Sequence, residues 1–330
     1  MLSKQNRCTK VKKLSESMPH ASRSEAVRAL KSLLNSTKES AHAADLIETV
    51  LLELRQSIMQ EQKISQNLKD NETFLRNVLD KSADIVFRKF QVGNQAGLLI
   101  FVDGLTNSEL INSDILKPLI QYGNNLNQRG ILEESNIKEI LQNQVITSAQ
   151  LSDGKTHGEV VKSILAGDVA ILIDGMGQAI FTSMRAWDKR SVEEPQVEPV
   201  IRGPREGFTE SLMTNISMVR RRLKTSTLKT ELMQVGRLSQ TDIIIIYLAG
   251  IADDALIEEV RKRISRIDID AILESGNIEE LIEDNPLSIF PQFAYTERPD
   301  KLVSSLLEGQ IGIMVNNTPF ALIAPQTFFK

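Results

Sequence analysis

The second half of this chain repeats the pattern of its first half, and this repetition limits the possible folds more than any other feature. Residues 160–184 resemble residues 302–326: each stretch has a short helical pattern, a glycine, an apolar strand, a tight turn and a second apolar strand. The turns carry an Asp-Gly pair and an Asn-Asn pair, which are typical of β-hairpins when apolar runs flank them. Each copy is therefore predicted to contain a helix followed by a hairpin.

A second pair of matching stretches lies upstream of these hairpins. Residues 87–110 align with residues 231–256, and each stretch has two strands around a Gln-Val-Gly turn, then a glycine and a polar residue that can cap a helix. Both pairs are separated by about 145 residues. We predict an α/β (α+β) fold with two similar subdomains, each a small mixed β-sheet packed with helices. The order β-β-α…α-β-β differs from alternating βα units, so neither a TIM barrel nor a dinucleotide-binding fold is implied.

The predicted boundaries follow from this repeat and from composition. Residues 1–64 form a variable basic tail and an amphipathic helix, a helical extension whose apolar stripe runs through Leu46, Ile47, Val50, Leu51, Leu54 and Ile58. Residues 65–193 form the N-terminal α/β subdomain, residues 194–228 an Arg-rich linker and helix, and residues 229–330 the C-terminal α/β subdomain.

The linker is predicted to start extended and to end in a helix. Pro195, Pro199 and Pro204 fix φ and disfavour helix just before themselves. Thr209 is the expected N-cap of the helix, and three arginines at its C-terminal end complement the helix dipole. A phosphate loop is the alternative interpretation, but the segment contains neither GxxxxGK[ST] nor GxGxxG after a strand.

The arginines predict a fastener between the two halves, because a guanidinium group holds a carboxylate through two hydrogen bonds. The candidate interface residues, including possible acceptors, are Arg202, Gly203, Pro204, Arg205, Glu206, Gly207, Arg220, Arg221, Arg222, Glu283, Asp284, Asn285, Glu297, Arg298 and Asp300. Charge reversal at Arg205 or Arg221 is predicted to leave the domain folded and to abolish its function.

A second hypothesis is that a small molecule binds at the boundary between the subdomains, since two-lobed proteins often bind ligands there. The sequence Glu-Arg-Pro-Asp at 297–300, with Asn285, could supply carboxylate and amide contacts. The same residues also have an ordinary structural explanation: the Asn-Pro and Arg-Pro pairs are turn chemistry, and Asp300 is a candidate helix N-cap.

Other classes of function find little support. The formal net charge of -4 argues against nucleic-acid binding, which needs a surplus of Lys and Arg on one face. Cys8 is the only cysteine, and His20, His42 and His157 are widely separated, so we expect solvated histidines and no metal site, cofactor or catalytic set. The longest apolar run, residues 243–252, is too short to cross a bilayer.

Several separate motifs make the sequence recognisable. The segments IRGPREGFTESLMTNISMVRRR, IIIIYLAGIADDALIEEVRKRI, IDIDAILESGNIEELIEDNPLSIFPQ and YTERPDKLVSSLLEGQIGIMVNNTPFALIAPQTFF follow one another after residue 200. In this order they closely resemble the A subunit of the GerA family of spore germinant receptors. The resemblance runs from about residue 82 to the C-terminus and is densest after Ile201.

The resemblance implies a location and a set of partners. This chain looks like the soluble N-terminal region, on the cytoplasmic (spore core) side of the spore inner membrane, and the transmembrane helices that follow it in the family are absent from this chain. The implied partners are the receptor's B and C subunits and other A subunits as a homo-oligomer, with no nucleic acid. The implied role is receptor assembly and transmission of the nutrient signal to ion-channel helices during germination, without enzymatic activity.

Overall fold

A computed structural model describes residues 57–126, 151–185, 198, 204–284 and 290–326. Two five-stranded sheets form the body of the molecule, with strand orders β1-β2-β4-β5-β3 and β6-β7-β9-β10-β8. The two orders are identical once the second sheet is renumbered, so the predicted duplication and the α/β fold class are confirmed.

The strands of the first sheet are β1 (Ile85–Val92), β2 (Gln95–Val102), β3 (Leu151–Gly154), β4 (Asp168–Ile173) and β5 (Ala179–Ser183). Those of the second sheet are β6 (Leu228–Val235), β7 (Thr241–Leu248), β8 (Ala294–Thr296), β9 (Ile311–Val315) and β10 (Ala321–Ala324). The hairpins β1–β2, β4–β5, β6–β7 and β9–β10 lie where the turn residues predict them.

The helices of the first subdomain are α1 (Leu68–Val78), α2 (Ser108–Leu110), a π-helix (Ile111–Leu116), α3 (Lys117–Leu126) and α4 (His157–Leu165). Those of the second subdomain are α5 (Leu212–Arg222), α6 (Asp254–Ser265), α7 (Ser275–Ile282) and α8 (Pro299–Leu307). The first subdomain is hereafter the unit from α1 to β5, and the second is the unit from α5 to β10.

One detail of the expected sheets differs: all pairs of neighbouring strands described here are antiparallel, not mixed. The chain enters β4 from β3 through α4, so β3 and β4 run in the same direction, as in a crossover unit. Strand β5 lies between them in the sheet and pairs with both, so the parallel pair never forms.

Each sheet is covered by helices on both faces, which explains why its central strands read as continuous apolar runs. In β2, Leu98 and Ile100 pack with α1 and α4, whereas Leu99 and Phe101 pack with the π-helix and α3. The same division occurs in β7, where alternate residues pack with α5 and α8 or with α6 and α7. Burial of each such side chain stabilises the folded state by about 1.5–3 kcal/mol relative to leaving it exposed.

A buried asparagine extends the repeat into the helix that precedes each sheet. Asn71 in α1 binds the backbone of Ser65: Ser65 N–H donates to Asn71 Oδ1 (2.9 Å) and Asn71 Nδ2 donates to the Ser65 carbonyl (2.7 Å). Asn215 in α5 binds Thr209 in the same way, at 2.7 and 2.6 Å. The prediction of Thr209 as the N-cap of α5 is wrong. The N-cap is Ser211, and Thr209 is held two residues before it.

One prediction lies largely outside the described ranges, and the predicted boundaries are not tested. Of the apolar stripe in the N-terminal helix, only Ile58 is described, in a helical stretch at 57–61. The boundaries at 64, 193 and 228 remain a prediction; α5, which they assign to the linker, contributes Leu212, Ile216 and Val219 to the core of the second sheet.

Candidate functional site

The two subdomains meet where the edge strand β6 lies beside the segment that leads into β1. Ser82 and Thr230 form a parallel bridge. Ala83 N–H donates to the Thr230 carbonyl (3.0 Å), and Thr230 N–H donates to the Lys81 carbonyl (2.8 Å). The backbone of the first subdomain thus occupies the hydrogen-bonding edge that β6 would otherwise leave open.

A fully buried ion pair joins the subdomains beside this bridge. Arg220, in the last turn of α5, donates from Nε to Asp84 Oδ2 and from Nη2 to Asp84 Oδ1, both at 2.8 Å. Both side chains are 0% exposed. Thr230 Oγ1 also donates to Asp84 Oδ1 (2.7 Å), while Arg220 Nη1 donates to the carbonyls of Thr225 (3.0 Å) and Leu228 (3.3 Å). The carboxylate and guanidinium therefore have the additional hydrogen bonds that a buried ion pair needs.

At the edge of the junction, further ion pairs join residues of the two subdomains. Lys229 Nζ, on β6, donates to Asp80 Oδ1 (2.6 Å) and to the Asp80 carbonyl (3.0 Å). Lys81 lies 3.4 Å from Glu231, which also accepts hydrogen bonds from Arg261 and from the Tyr247 hydroxyl. Burial acts to raise the pKa of Glu231, but these hydrogen bonds and the Lys81 charge outweigh it and hold the pKa below its ordinary value.

The loop after β2 touches helix α5 at the same junction. Gly104 has φ +76°, and a Cβ atom there would lie 3.0 Å from Ser217 Cβ and 3.1 Å from the Met213 carbonyl. A glycine is required both by the left-handed backbone and by the close approach of the helix. The first subdomain therefore rests on α5 as well as on β6.

A cavity of about 790 Å³ opens beside the charged border. It is lined from the first subdomain by Phe74, Val78, Asp80 and Lys81, and from the second by residues that include Lys229, Tyr247, Ile257 and Arg261. An apolar wall with a few convergent charged groups is typical of sites that bind small polar molecules.

Of the three predicted arginines at the end of α5, Arg220 crosses the junction, and the other two pair with Glu206. Arg222 Nη2 donates to Glu206 Oε2 (2.8 Å), and Arg221 Nη1 lies 3.6 Å from Glu206 Oε1. These two pairs hold the segment before α5 against the helix end, within the second half of the chain. Pro204 and Arg205 are exposed and Gly207 is buried.

The other predicted acceptors in the described ranges do not bind Arg220, whose hydrogen bonds go to Asp84, Thr225 and Leu228. Asp284 pairs with Arg263 of α6 (2.6 Å), and Glu283 caps the C-terminal end of α7. Glu297 is buried, and its carbonyl accepts a hydrogen bond from Phe208 N–H (2.7 Å).

Asp300 and Arg298 form a local pair at the start of α8. Arg298 Nη2 donates to Asp300 Oδ2 (2.5 Å). Burial acts to raise the pKa of Asp300, but Arg298 and the charge of Arg222 outweigh it, so the pKa is lowered. The prediction of Asp300 as the N-cap is wrong: α8 starts two residues earlier than this implies, at Pro299, with Arg298 as its N-cap.

Arg202, Gly203 and Asn285 lie outside the described residues. Sequence reasoning missed Asp84, Asp80 and Lys229, for which no local pattern indicates a partner. It also missed Asn71 and Asn215, although the repeated spacing of Ser or Thr and Asn six residues later could have found them.

Comparison with known proteins places the fold in a family. A family model described as "Bacillus/Clostridium GerA spore germination protein" matches residues 73–330, well over half of the chain. The chain belongs to the GerA family. Every helix in the described ranges of this GerA chain is too short or too polar to traverse a bilayer.

Curated GerA relatives support the same assignment. The chain is 41% identical over 273 residues to the "Uncharacterized membrane protein YfkQ" of Bacillus subtilis, covering 82% of this chain and 52% of the relative. It is 37% identical over 270 residues to the "Spore germination protein KA" of the same organism, covering 81% of this chain and 48% of the relative. The GerA chain thus spans about half the length of the curated relatives it matches.

A solved structure confirms the architecture. The N-terminal domain of the A subunit of the Bacillus megaterium spore germinant receptor GerK3 superposes with a TM-score of 0.63 at 34% identity. The match covers 82% of this GerA chain and 98% of the solved chain.

Proposed function

We propose that this GerA-family chain is the N-terminal region of a germinant receptor A subunit on the cytoplasmic side of the spore inner membrane. There it contributes to receptor assembly and transmits the nutrient signal to membrane ion-channel helices. The proposed partners are the B and C subunits and other A subunits. The proposal assigns the chain no catalytic role and no cofactor.

The observation that carries the proposal is the buried Asp84–Arg220 pair at the subdomain junction. This bidentate pair fixes one relative orientation of the subdomains. A small rotation would break both short hydrogen bonds and leave the two charges buried without partners. A junction that is either fully formed or broken is suited to signalling, which requires a coupling free energy of about 1–3 kcal/mol between two states.

The proposal is tested by Arg220→Lys in the complete receptor. Lysine keeps the positive charge but cannot donate to both oxygens of Asp84 in the same planar geometry. We expect nutrient-triggered germination, followed as loss of optical density of a spore suspension, to slow by about fivefold or more. Arg76→Lys, at the equivalent helix position of the first subdomain, is the matched control and should germinate at the wild-type rate. Immunoblots establish equal receptor abundance.

Wild-type germination by an abundant, folded Arg220→Lys receptor would show that the junction does not transmit the signal. Arg221→Glu distinguishes the effect of the local pair with Glu206 from the effect of the junction between the subdomains. If Glu206 pairing alone matters, Arg221→Glu should impair germination while Arg220→Lys has no effect.

The cavity beside the junction supports a second candidate function, direct binding of a nutrient between the subdomains. Its lining combines Lys81, Lys229 and Arg261 with Asp80 and apolar side chains, a set that suits a small zwitterion. Calorimetric titration with individual amino acids tests this function, with Lys229→Ala as the variant that should lose binding. A titration without heat and without a rise in melting temperature would count against it.

A further inference from the structure

One end of the second subdomain exposes apolar side chains whose counterparts in the first subdomain are buried. Ile251, after β7, and Leu307, at the end of α8, are 50% and 53% exposed. Their counterparts Leu105 and Leu165 are each 2% exposed. The same apolar positions are therefore kept in both copies but covered in only one.

The equivalence of these positions rests on the backbone. Gly104 and Gly250 precede Leu105 and Ile251 with φ of +76° and +80°. Asn107 and Asp253 then cap the next helix in each copy. Leu165 and Leu307 both end their helices two residues before a glycine with φ above +90°.

In the first subdomain this end meets the second subdomain. Gly104 lies against Met213 and Ser217 of α5. Leu165 lines a cleft together with Lys224 and Thr225, which follow α5. Leu105 and Leu165 themselves pack into the core of their own subdomain. The loop that carries Gly104 shows how this end meets a neighbour, since it rests on the helix that precedes the next sheet.

We propose that Ile251 and Leu307 form a docking surface for a second copy of this chain, which contacts it through helix α1 of its first subdomain. Helix α1 is the counterpart of α5, so the contact between copies would repeat the contact within one chain. The inference rests on the proposed role in receptor assembly and names the surfaces that would meet.

The surface of α1 is available for this contact. The counterparts of Met213 and Ser217 are Lys69 and Thr73, and both are exposed. Lys69 would approach the acidic border around Ile251, where Asp253 and Glu308 are exposed. The apolar centre lies on the surface of Ile251 and Leu307, and the complementary charge lies on α1; opposite charges at the rim of an interface favour one partner and one register.

Such an interface is heterologous, since the two surfaces differ and each copy carries both. Head-to-tail contacts of this type close into a ring when the rotation between copies is a whole fraction of a turn. A ring would place equivalent subdomain junctions around one axis, which suits an assembly that acts on a central channel.

The test uses sedimentation velocity of the full 330-residue chain over a range of concentrations. The wild-type chain should show a faster-sedimenting species that grows with concentration. Ile251→Asp and Leu307→Asp should each lose it, because a carboxylate would be desolvated in the contact. Leu238→Asp is the control: Leu238 is 80% exposed in the turn between β6 and β7, at the opposite end of the sheet.

Mixing two variants tests the head-to-tail arrangement itself. Thr73→Trp should block the α1 surface and make the chain monomeric. A mixture of Thr73→Trp with Ile251→Asp leaves one intact surface on each chain, so one-to-one heterodimers should form and stop there.

A wild-type chain that stays monomeric, or variants that associate as well as Leu238→Asp, would overturn the inference, and a mixture without heterodimers would overturn the pairing with α1. None of these results depends on Arg220, so failure here and failure of the signalling proposal are distinguishable.

Discussion

The two subdomains share one fold but use equivalent residues differently. Arg76 in α1 and Arg220 in α5 occupy the same helical position, nine residues after the N-cap. Arg220 is buried and bonded twice to Asp84. Arg76 is half exposed, pairs with Glu72 at 3.0 Å and lies 4.3 Å from the centre of the Phe87 ring.

The difference lies in what each arginine faces. The position of Asp84 in the first subdomain corresponds to Thr227 in the second, and the backbone there is the same: Asp103 N–H donates to the Asp84 carbonyl, and Ala249 N–H to the Thr227 carbonyl. Only the first copy has a carboxylate at this position. The duplicated scaffold is thus retained, and a single charged position makes the junction specific.

The largest expected effect is on the stability of the junction. Arg220→Ala leaves Asp84 buried without its cation, and we expect the free energy of unfolding to fall by about 3–5 kcal/mol. Arg76→Ala should cost less than about 1 kcal/mol, because an exposed pair is screened by water. Urea denaturation of both variants measures the two values.

A double variant tests whether the loss of stability comes from leaving Asp84 buried without its cation. Arg220→Met with Asp84→Leu removes both charges and should recover much of the loss, since replacing a buried pair by apolar groups is often neutral. Equal losses for Arg220→Ala and Arg76→Ala would show that the two copies do not differ as proposed.

The next largest loss of stability is expected to be similar in the two subdomains, because each buried asparagine also has one further side-chain partner: His157 Nε2 for Asn71 (3.0 Å) and Thr209 Oγ1 for Asn215 (3.2 Å). Asn71→Ala and Asn215→Ala each remove a buried amide that holds a backbone N–H and carbonyl, and each should cost about 2–3 kcal/mol. Thermal unfolding followed by circular dichroism compares them. Values that differ by more than about 1 kcal/mol would mean that these equivalent contacts are supported differently by their surroundings.

Much of the fold could be predicted because its signals are local and occur twice. The hairpins follow from their turn residues, and the apolar runs in β2 and β7 indicate strands covered on both faces. The strand directions could not be predicted. Strands β3 and β8 are short and partly polar, and the edge each one joins decides which neighbours are antiparallel.

Of the two partners in the buried ion pair, only the arginine could be predicted from the sequence. The arginines at the end of α5 stand out in the sequence, but Asp84 is 136 residues away from Arg220 and is a single acidic residue before a strand. Which carboxylate meets which arginine depends on how the subdomains pack, and no local pattern encodes that distance. Local acceptors such as Glu206 were easier to name and hold only the neighbouring arginines.

His157 provides the smallest test of the comparison, because its counterpart Pro299 cannot titrate. The sequence predicted a solvated histidine, but the side chain is buried, with its ring centroid 4.5 Å from that of Phe74 and its Nε2 3.0 Å from Asn71 Oδ1. Tertiary packing of α4 on α1 overrides the general preference of histidine for the surface. Burial lowers the pKa of His157.

The sign of the pH effect follows from that lowered pKa. Below about pH 6.5 the unfolded chain takes up a proton on His157 that the folded chain does not, so the free energy of unfolding falls as the pH drops towards the folded pKa. The slope from this residue is at most about 1.4 kcal/mol per pH unit. Carboxylates with lowered pKa values, such as Glu231, lose their contribution only below about pH 4.5. Burial raises the pKa of Glu279, so this group favours the folded state as the pH falls, and the part due to the histidine is read from the difference between a variant and the wild type. His157→Gln cannot titrate, and urea denaturation at pH 7.5 and 5.5 should show a smaller decrease for it than for the wild type. An equal decrease would place the pH dependence elsewhere in the chain and remove this distinction between the subdomains.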